Sequence, residues 1–305
     1  MHEVLVQMGG LILCGVFWRL RHPLGLKADD VRQTITALVY VLLLPALVLQ
    51  TLWQAPLGLD VAKVAIVAGS GVLAGMLAAH LIYRFSGTPK KIAGAMILAS
   101  AFPNATYLGL PVLESTLGEW ARSVAIQYDL FACTPLLLTV GMIIGRHYGS
   151  GANGENMLAS LLKVPPLWAA VVAVALNSAD VPMPSLLQNW LQMMGGAVVP
   201  LMLIALGMGL QWSSFRLHNL PTVAPVLIIQ LLGMPLLVWG LAHILGLRGD
   251  LLTAVVLEAA MPCMVLGLVI CDRYRLDTGL YASVVTLSTA LSMVTLPFWF
   301  GLLRT

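Results

Sequence analysis

A proline and an asparagine interrupt a long apolar segment in the first half of this chain. Pro103 and Asn104 lie inside residues 92–113, a stretch long enough to cross a lipid bilayer. A similar interruption at Pro262 follows 159 residues later, inside residues 251–271. Because lipid offers backbone groups no hydrogen-bond partner, both breaks must be enclosed by protein or water. The chain is therefore restricted to folds that bury two interrupted helices inside a bundle.

The composition places the chain in a membrane. Of its 305 residues, 59% are hydrophobic and 10% are charged, and the mean hydropathy is +0.92. A soluble domain carries about 25% charged residues. We predict an all-α integral membrane protein with ten transmembrane helices and no soluble domain. The predicted spans are approximately residues 4–20, 34–54, 61–83, 92–113, 121–145, 157–177, 186–210, 220–245, 251–271 and 279–303.

The basic residues predict how the chain is oriented in the membrane. With the N-terminus outside, 12 of the 16 Lys and Arg residues fall on the cytoplasmic side, in agreement with the positive-inside rule. The four that fall outside are Lys63, Arg122, Arg248 and Arg304. We therefore expect both termini to lie on the non-cytoplasmic side.

The two halves of the chain repeat one another. Each half holds five predicted spans, an odd number, so the second half must be inverted in the membrane. We predict two inverted five-helix repeats, residues 1–150 and 151–305, and paired interrupted helices in such repeats are the best sequence indication of a transport site. Matched features recur at separations of 155, 163, 159 and 162 residues: Pro45 with Pro200, His80 with His243, Pro103 with Pro262, and Pro135 with Pro297.

The motifs around the two breaks resemble the auxin efflux carrier family, which includes plant PIN carriers and bacterial carriers of malonate, malate and related organic acids. The resemblance covers nearly the whole chain. It is carried by Pro103-Asn104 with Gly109-Leu110-Pro111, by Glu258-Ala259-Ala260-Met261-Pro262, by residues 40–49 (YVLLLPALVL) and 205–211 (ALGMGLQ), and by Leu296-Pro297.

The resemblance implies a fold in which helices four and nine are broken and cross near the membrane midplane. Helices one, two, six and seven would form a scaffold, through which the protein would form a homodimer, and the remaining helices would form a moving transport domain. The chain looks like the compact bacterial type, located in the inner membrane. Plant members usually carry an amide at the position of Glu258, which disfavours auxin as the substrate.

The two breaks predict an anion-binding site. Downstream of Pro103 and Pro262, new half-helices begin with free N–H groups and a positive dipole end, and these ends can converge on one point. Asn104 can hold a substrate carboxylate or cap the half-helix. The alternative is two proline kinks that only shape the bundle. The predicted substrate-binding residues are Pro103, Asn104, Thr106, Tyr107, Pro262, Cys263 and Met264.

Glu258 and Asp129 are the candidate ion-coupling carboxylates. A carboxylate at such depth is costly unless it is paired, hydrated or protonated. Glu258 can instead bond backbone freed by the break, and Asp129 can instead pair with His80 or His243. If an anionic substrate lies beside an ionised carboxylate, a proton or a sodium ion must compensate the charge.

Three further polar residues are weaker candidates for ion coupling. Gln127 matches a polar position of the family's fifth helix. Ser288 and Ser292 are a possible sodium site, although small hydroxyl residues more often serve close helix packing. No metal site and no other cofactor is predicted, because the cysteines show no metal-ligand spacing.

We therefore expect a secondary active transporter of small organic anions, mono- or dicarboxylates, that works by alternating access within the lipid bilayer. A cation/proton exchanger and an auxin-like weak-acid efflux carrier of the same crossed-helix fold are the alternatives, and a channel is a more distant one. No nucleic-acid partner is expected. An enzyme is disfavoured because the chain has no HExxH, no paired catalytic aspartates and no Ser/His constellation.

Overall fold

The computed structural model describes residues 2–150, 162–210 and 217–304, and these residues form twelve helical segments with no β-strand. Six helices are long and apolar enough to span a membrane. The start of the predicted sixth span, residues 157–161, and Arg216 lie outside the described residues. The six long helices are α2 (Ala28–Gln54), α3 (Leu59–Phe85), α6 (Ala121–Tyr148), α8 (Ser185–Gly209), α9 (Leu220–Ile244) and α12 (Thr278–Leu303).

The predicted fourth and ninth spans are each divided into two shorter helices. The fourth consists of α4 (Lys90–Ala99) and α5, which is a π-helical turn, Ala105–Gly109, continued by the helix Leu110–Leu117. The ninth consists of α10 (Gly249–Ala259) and α11 (Gly267–Arg273). The remaining helices are α1 (His2–Arg21) and α7 (Pro165–Ser178).

Four π-helical turns occur just before prolines in the helices. Because proline has no N–H and its ring clashes with the carbonyl four residues earlier, a regular α-helical turn is disfavoured there, and a π turn relieves the clash at these four positions. The residue before each proline donates instead to the carbonyl five residues back, as Thr134 does to Asp129 before Pro135. The four turns are Val39–Leu43 before Pro45, Ala105–Gly109 before Pro111, Asp129–Cys133 before Pro135, and Ile229–Gly233 before Pro235.

Helices α1 and α8 pack so closely that their backbones touch. A Cβ atom added at Gly15 would lie 2.7 Å from the backbone nitrogen of Met208 and 2.9 Å from the Cα of Gly207. Only glycine fits at such a contact, which is how small residues join helices in membranes. Arg19 at the end of α1 closes the same corner, since its guanidinium donates to the Met208 carbonyl at 2.8 Å and to Asp29 at 3.0 Å.

The helices associate in two groups. In the first, α1 packs along α8 and α7 packs along α2, while α2 and α8 also contact each other. Asn177 of α7 secures the α2–α7 pair by donating to the carbonyls of Trp53 and Ala55 at 2.8 Å each. In the second group, the helices α3, α4, α5, α6, α9, α10, α11 and α12 pack on one another. The groups meet mainly where α2, α7 and α8 contact α5 and α6.

Glycines on α3 allow this helix to pack closely against the first break and against α9. A Cβ atom at Gly75 would lie 2.9 Å from the Ser100 carbonyl oxygen and 2.9 Å from the Met234 sulfur. Gly71 packs similarly against Val238 of α9. These glycines therefore serve tight helix packing, as small residues commonly do in membranes.

Candidate functional site

The two broken helices cross at a short antiparallel bridge between Pro103 and Cys263. Asn104 N–H donates to the Pro262 carbonyl at 2.8 Å, and Met264 N–H donates to the Phe102 carbonyl at 2.8 Å. These two bonds lie on either side of Pro103 and Cys263, which form no backbone hydrogen bond with each other. The bridge therefore does not require an N–H from Pro103, and proline is compatible with this position. Pro103 is thus paired with Cys263. The sequence repeat had matched Pro103 with Pro262, which is the residue before Cys263.

Side chains from neighbouring helices satisfy the remaining open backbone of the second break. Cys263 N–H donates to Ser288 Oγ at 3.1 Å, and Tyr281 donates its hydroxyl hydrogen to the Met264 carbonyl at 2.8 Å. Gln230, which is fully buried in the π turn of α9, donates to the Met261 carbonyl at 2.9 Å. Gly267 leaves the room that the Tyr281 ring occupies. The break is therefore enclosed by protein, as an interrupted helix in a membrane requires.

A narrow cavity of about 30 Å³ lies beside this crossing. It sits where the two groups of helices meet, because α2 and α7 line one wall and α5, α6 and the second break line the other. The lining residues are Tyr40, Leu44, Asn104, Thr106, Tyr107, Asp129, Leu130, Thr134, Val164, Pro166, Met264 and Leu266. Of the predicted substrate-binding residues, Asn104, Thr106, Tyr107 and Met264 lie in this lining.

Asn104 presents an unused hydrogen-bond donor at the cavity. Its backbone is held in the crossing by the bond to Pro262 and by the Gly109 N–H, which donates to the Asn104 carbonyl at 2.9 Å. The side chain is 2% exposed, and its Nδ2 has no partner among the described residues. A buried donor left unpaired costs roughly 1–3 kcal/mol, so this amide is able to bind a group that accepts hydrogen bonds.

Asp129 lies in the same wall and is held by two hydroxyl groups. Thr106 donates to its Oδ2, and Thr134 donates to its Oδ1 at 2.9 Å. The proposed pairing of Asp129 with a histidine is wrong, because His80 bonds the Tyr148 hydroxyl at 2.6 Å and His243 accepts from Trp239 at 2.9 Å. The residues lining the cavity include no lysine or arginine.

A larger space of about 520 Å³ adjoins this cavity. Tyr40, Tyr107 and Leu266 line both spaces and therefore form the partition between them. Arg32 and Asp272 lie in the wall of the outer space, which we call the vestibule. The vestibule thus carries one basic and one acidic side chain, Arg32 and Asp272. The inner cavity carries the amide of Asn104, the hydroxyl groups of Thr106 and Thr134, and the carboxyl group of Asp129.

The other predicted site residues lie outside the cavity lining. Pro103, Pro262 and Cys263 form the crossing itself and are buried. Gln127 is buried on α6, about half a turn from Asp129. Ser288 donates to the Val285 carbonyl while it accepts from Cys263, and Ser292 donates to the Thr289 carbonyl. The serines therefore contribute to backbone bonding and helix packing.

Glu258 is fully buried on α10 and is also absent from the cavity lining. Neither of its carboxyl oxygens has a hydrogen-bond partner among the described residues. It lies against Gly109, where an added Cβ atom would come within 2.6 Å of Oε1. The alternative that Glu258 bonds backbone freed by the break does not hold, because neither carboxyl oxygen contacts a backbone donor among the described residues.

Sequence reasoning missed four residues that build the site, namely Tyr40, Thr134, Gln230 and Tyr281. Tyr40 and Gln230 lie inside the π turns that precede Pro45 and Pro235, and Thr134 directly precedes Pro135. A proline within an apolar segment is therefore the sequence signal that could have found three of them. Nothing in the sequence around Tyr281 distinguishes it from an ordinary interior tyrosine.

This geometry, two broken helices crossing beside a polar cavity in an apolar bundle, defines a membrane transporter. Residues 3–300 match the model of the membrane transport protein family, and the chain belongs to that family, which confirms the resemblance to the auxin efflux carriers.

Curated relatives carry the same class of name. An "Uncharacterized transporter" of Methanothermobacter thermautotrophicus is 29% identical over 300 residues, covering 97% of this chain and 96% of the relative. "Uncharacterized transporter MJ1031" of Methanocaldococcus jannaschii is 26% identical over 75% of this chain and 73% of its own length. "Uncharacterized transporter YfdV" of Escherichia coli is 24% identical over 71% of this chain and 70% of its own length. The protein is therefore a multi-pass membrane protein of a transporter family.

Proposed function

We propose that this protein is a secondary active transporter of small organic anions, mono- or dicarboxylates of the malonate and malate class. The observation that carries the proposal is the unpartnered Nδ2 of Asn104, which is buried and lines the cavity beside the crossing. A carboxylate oxygen is a suitable acceptor for this donor. The half-helix ends at the two breaks add a positive potential on the same side of the crossing.

Charge balance supports coupling to a cation. An anionic substrate in this cavity lies near the Asp129 carboxylate, and the lining residues supply no basic side chain. Two negative charges at this depth require a compensating charge. A proton or a sodium ion must therefore enter with the anion, with Asp129 as the coupling carboxylate that contacts the cavity.

The two groups of helices support an elevator form of alternating access. In this proposal α1, α2, α7 and α8 are the scaffold, and the crossing moves against them within a ten-span, inverted-repeat fold. The paired bonds of the crossing relate Asn104 to Met264 and Phe102 to Pro262, as a two-fold axis through the bridge would. With the termini outside, Arg32 is cytoplasmic, so the vestibule opens inward in this conformation.

Counterflow in proteoliposomes tests the proposal. Liposomes loaded with unlabelled malonate or malate should accumulate the labelled acid transiently when they contain the wild-type protein. Asn104→Ala should abolish the accumulation while leaving the protein folded, because the Nδ2 that is lost has no partner among the described residues. Gln188→Ala, an amide on α8 outside the cavity lining, serves as the matched control and should retain it.

Three outcomes would contradict the proposal. Undiminished counterflow in Asn104→Ala would remove this residue from the anion site. Flux that neither saturates nor shows counterflow would indicate a channel. Sodium or proton exchange without any organic anion would favour the cation exchanger, although such exchangers usually place adjacent carboxylates at the crossing, where this chain has Asn104 and Cys263.

A further inference from the structure

Glu258 and Asp129 contact opposite ends of one short element. Asp129 accepts from Thr106 near the start of the π turn Ala105–Gly109, and the carboxyl of Glu258 lies against Gly109 at its end. Asp129 lines the substrate cavity, whereas Glu258 does not. The π turn therefore separates two buried carboxyl groups, only one of which faces the cavity.

The surroundings of Glu258 fit a neutral acid. Glu258 is 0% exposed, and both of its oxygens lack a partner among the described residues. An ionised carboxylate is poorly tolerated in such a place. The titratable groups of α6 within its electrostatic range are Asp129, Tyr128 and Cys133, and none of them is basic.

The other elements packed on α10 supply no counter-charge near the break either. Gln230 of α9 and Tyr281 of α12 donate to backbone carbonyls, and α3 presents Gly71 and Gly75 to its neighbours. A hard cation such as sodium takes a shell of several oxygen ligands. Besides the Asp129 carboxyl, the α6 groups that interact electrostatically with Glu258 are one hydroxyl and one thiol, and its neighbour on α5 is Gly109, so such a shell is incomplete.

We propose that Glu258 is a proton-binding site, separate from the substrate cavity and linked to it through the π turn Ala105–Gly109. The neutral carboxyl fits against Gly109, whereas the ionised form needs hydrogen-bond donors, and neither of its oxygens has one in this packing among the described residues. Loss of the proton is thus linked to displacement of the π turn, which also positions Thr106 on Asp129. This linkage to transport rests on the proposed function, whereas the proposal that Glu258 holds a proton does not.

Infrared spectroscopy of the purified full-length protein in lipid nanodiscs tests the proton site directly. At neutral pH the wild-type spectrum should contain the C=O stretching band of a buried protonated carboxyl group. Glu258→Gln should lose this band. The band should remain in Glu119→Gln, a matched change at a carboxylate that is 79% exposed, and replacing choline chloride with sodium chloride should leave it unchanged.

Each contrary result identifies what is wrong. A wild-type spectrum without the band, or a band that persists in Glu258→Gln, overturns the proton site. A band that sodium titrates away shows that the site binds sodium. A band lost in Asp129→Asn but kept in Glu258→Gln moves the proton to the cavity. If Glu258→Gln fails to fold, Gly109→Ala provides a second variant, since it crowds the carboxyl and should shift the wild-type band.

Counterflow separates this inference from the proposed function. If organic anions are transported, the pH dependence of counterflow should be at least severalfold weaker in Glu258→Gln than in the wild type. An unchanged pH dependence, with the infrared band still assigned to Glu258, would overturn the linkage through the π turn. If no organic anion is transported by the wild type, the proposed function fails, and the infrared result still decides whether Glu258 holds a proton.

Discussion

Single donors and acceptors determine what the cavity can hold. Asn104, Thr106, Tyr107 and Asp129 are predictable from the sequence, because a polar residue beside a break or deep inside an apolar span is costly unless it has a role. Thr134 is not predictable in this way, since a threonine in a membrane helix usually bonds its own backbone. Its contact with Asp129 depends on the π turn that places both side chains on the cavity wall.

Removing one hydroxyl donor from Asp129 should weaken transport without unfolding the protein. Thr134→Val keeps the shape of the side chain but leaves Oδ1 without its donor, and a hydrogen bond to a charged group contributes about 1.5–3 kcal/mol. We expect counterflow to fall by roughly tenfold or more. Thr139→Val is the control, because Thr139 donates only to the Pro135 carbonyl of its own helix. Equal activity in the two variants would show that Thr134 does not position Asp129.

Prolines shape the elements that carry the site. Pro45, Pro111, Pro135 and Pro235 each lie within an apolar segment, and periodicity alone predicts a helix through each. The structure shows a π turn before each of the four, because the missing N–H and the ring disfavour a regular turn. In α9 the carbonyl of Leu231, four residues before Pro235, accepts instead from Trp299 at 2.9 Å. Which side chain donates to such a carbonyl depends on tertiary packing, and a local sequence pattern does not predict it.

Replacing the proline of α6 should separate stability from activity. Pro135→Ala restores an N–H and removes a residue that disfavours a helix interior by about 3 kcal/mol. We expect the thermal midpoint in detergent to stay the same or rise, while counterflow falls because the regular helix turns Asp129 away from Thr106. Pro297→Ala, at a helix-internal proline of α12 with no π turn before it, should retain counterflow. Full activity in Pro135→Ala would show that the π turn is dispensable.

At the scale of the whole molecule, hydropathy predicts where helices lie but not how they associate. Helical segments occur at the predicted spans within the described residues, and the two predicted interruptions are real breaks. Helix α2 begins at Ala28, whereas hydropathy predicts a start at residue 34. The prediction misses the first turn of α2 because that turn is polar. Asp29 in that turn suits the positive helix end and pairs with Arg19 of α1. Hydropathy cannot register such a start.

The contact between α1 and α8 should be essential for the first group of helices. Gly15→Val places a branched side chain against the backbone of α8, at the upper end of overpacking costs, about 3 kcal/mol or more. We expect a clear loss of monodisperse protein on size-exclusion chromatography and a lower thermal midpoint. Gly10→Val, at a glycine of α1 with open space around it, should have little effect. Similar behaviour of the two variants would contradict this packing.

The most direct test of the central claim is ligand-dependent thermal stabilisation of the purified wild-type protein and Asn104→Ala across a panel of small carboxylates. The panel is run with and without sodium, at two pH values. A bound ligand stabilises the folded state by mass action, by about 2.7 kcal/mol at a hundredfold excess over its Kd. We predict that a small mono- or dicarboxylate raises the midpoint of the wild type by several degrees and leaves that of Asn104→Ala unchanged. Equal stabilisation of both proteins, or stabilisation by sodium or protons alone, would contradict an anion site at Asn104.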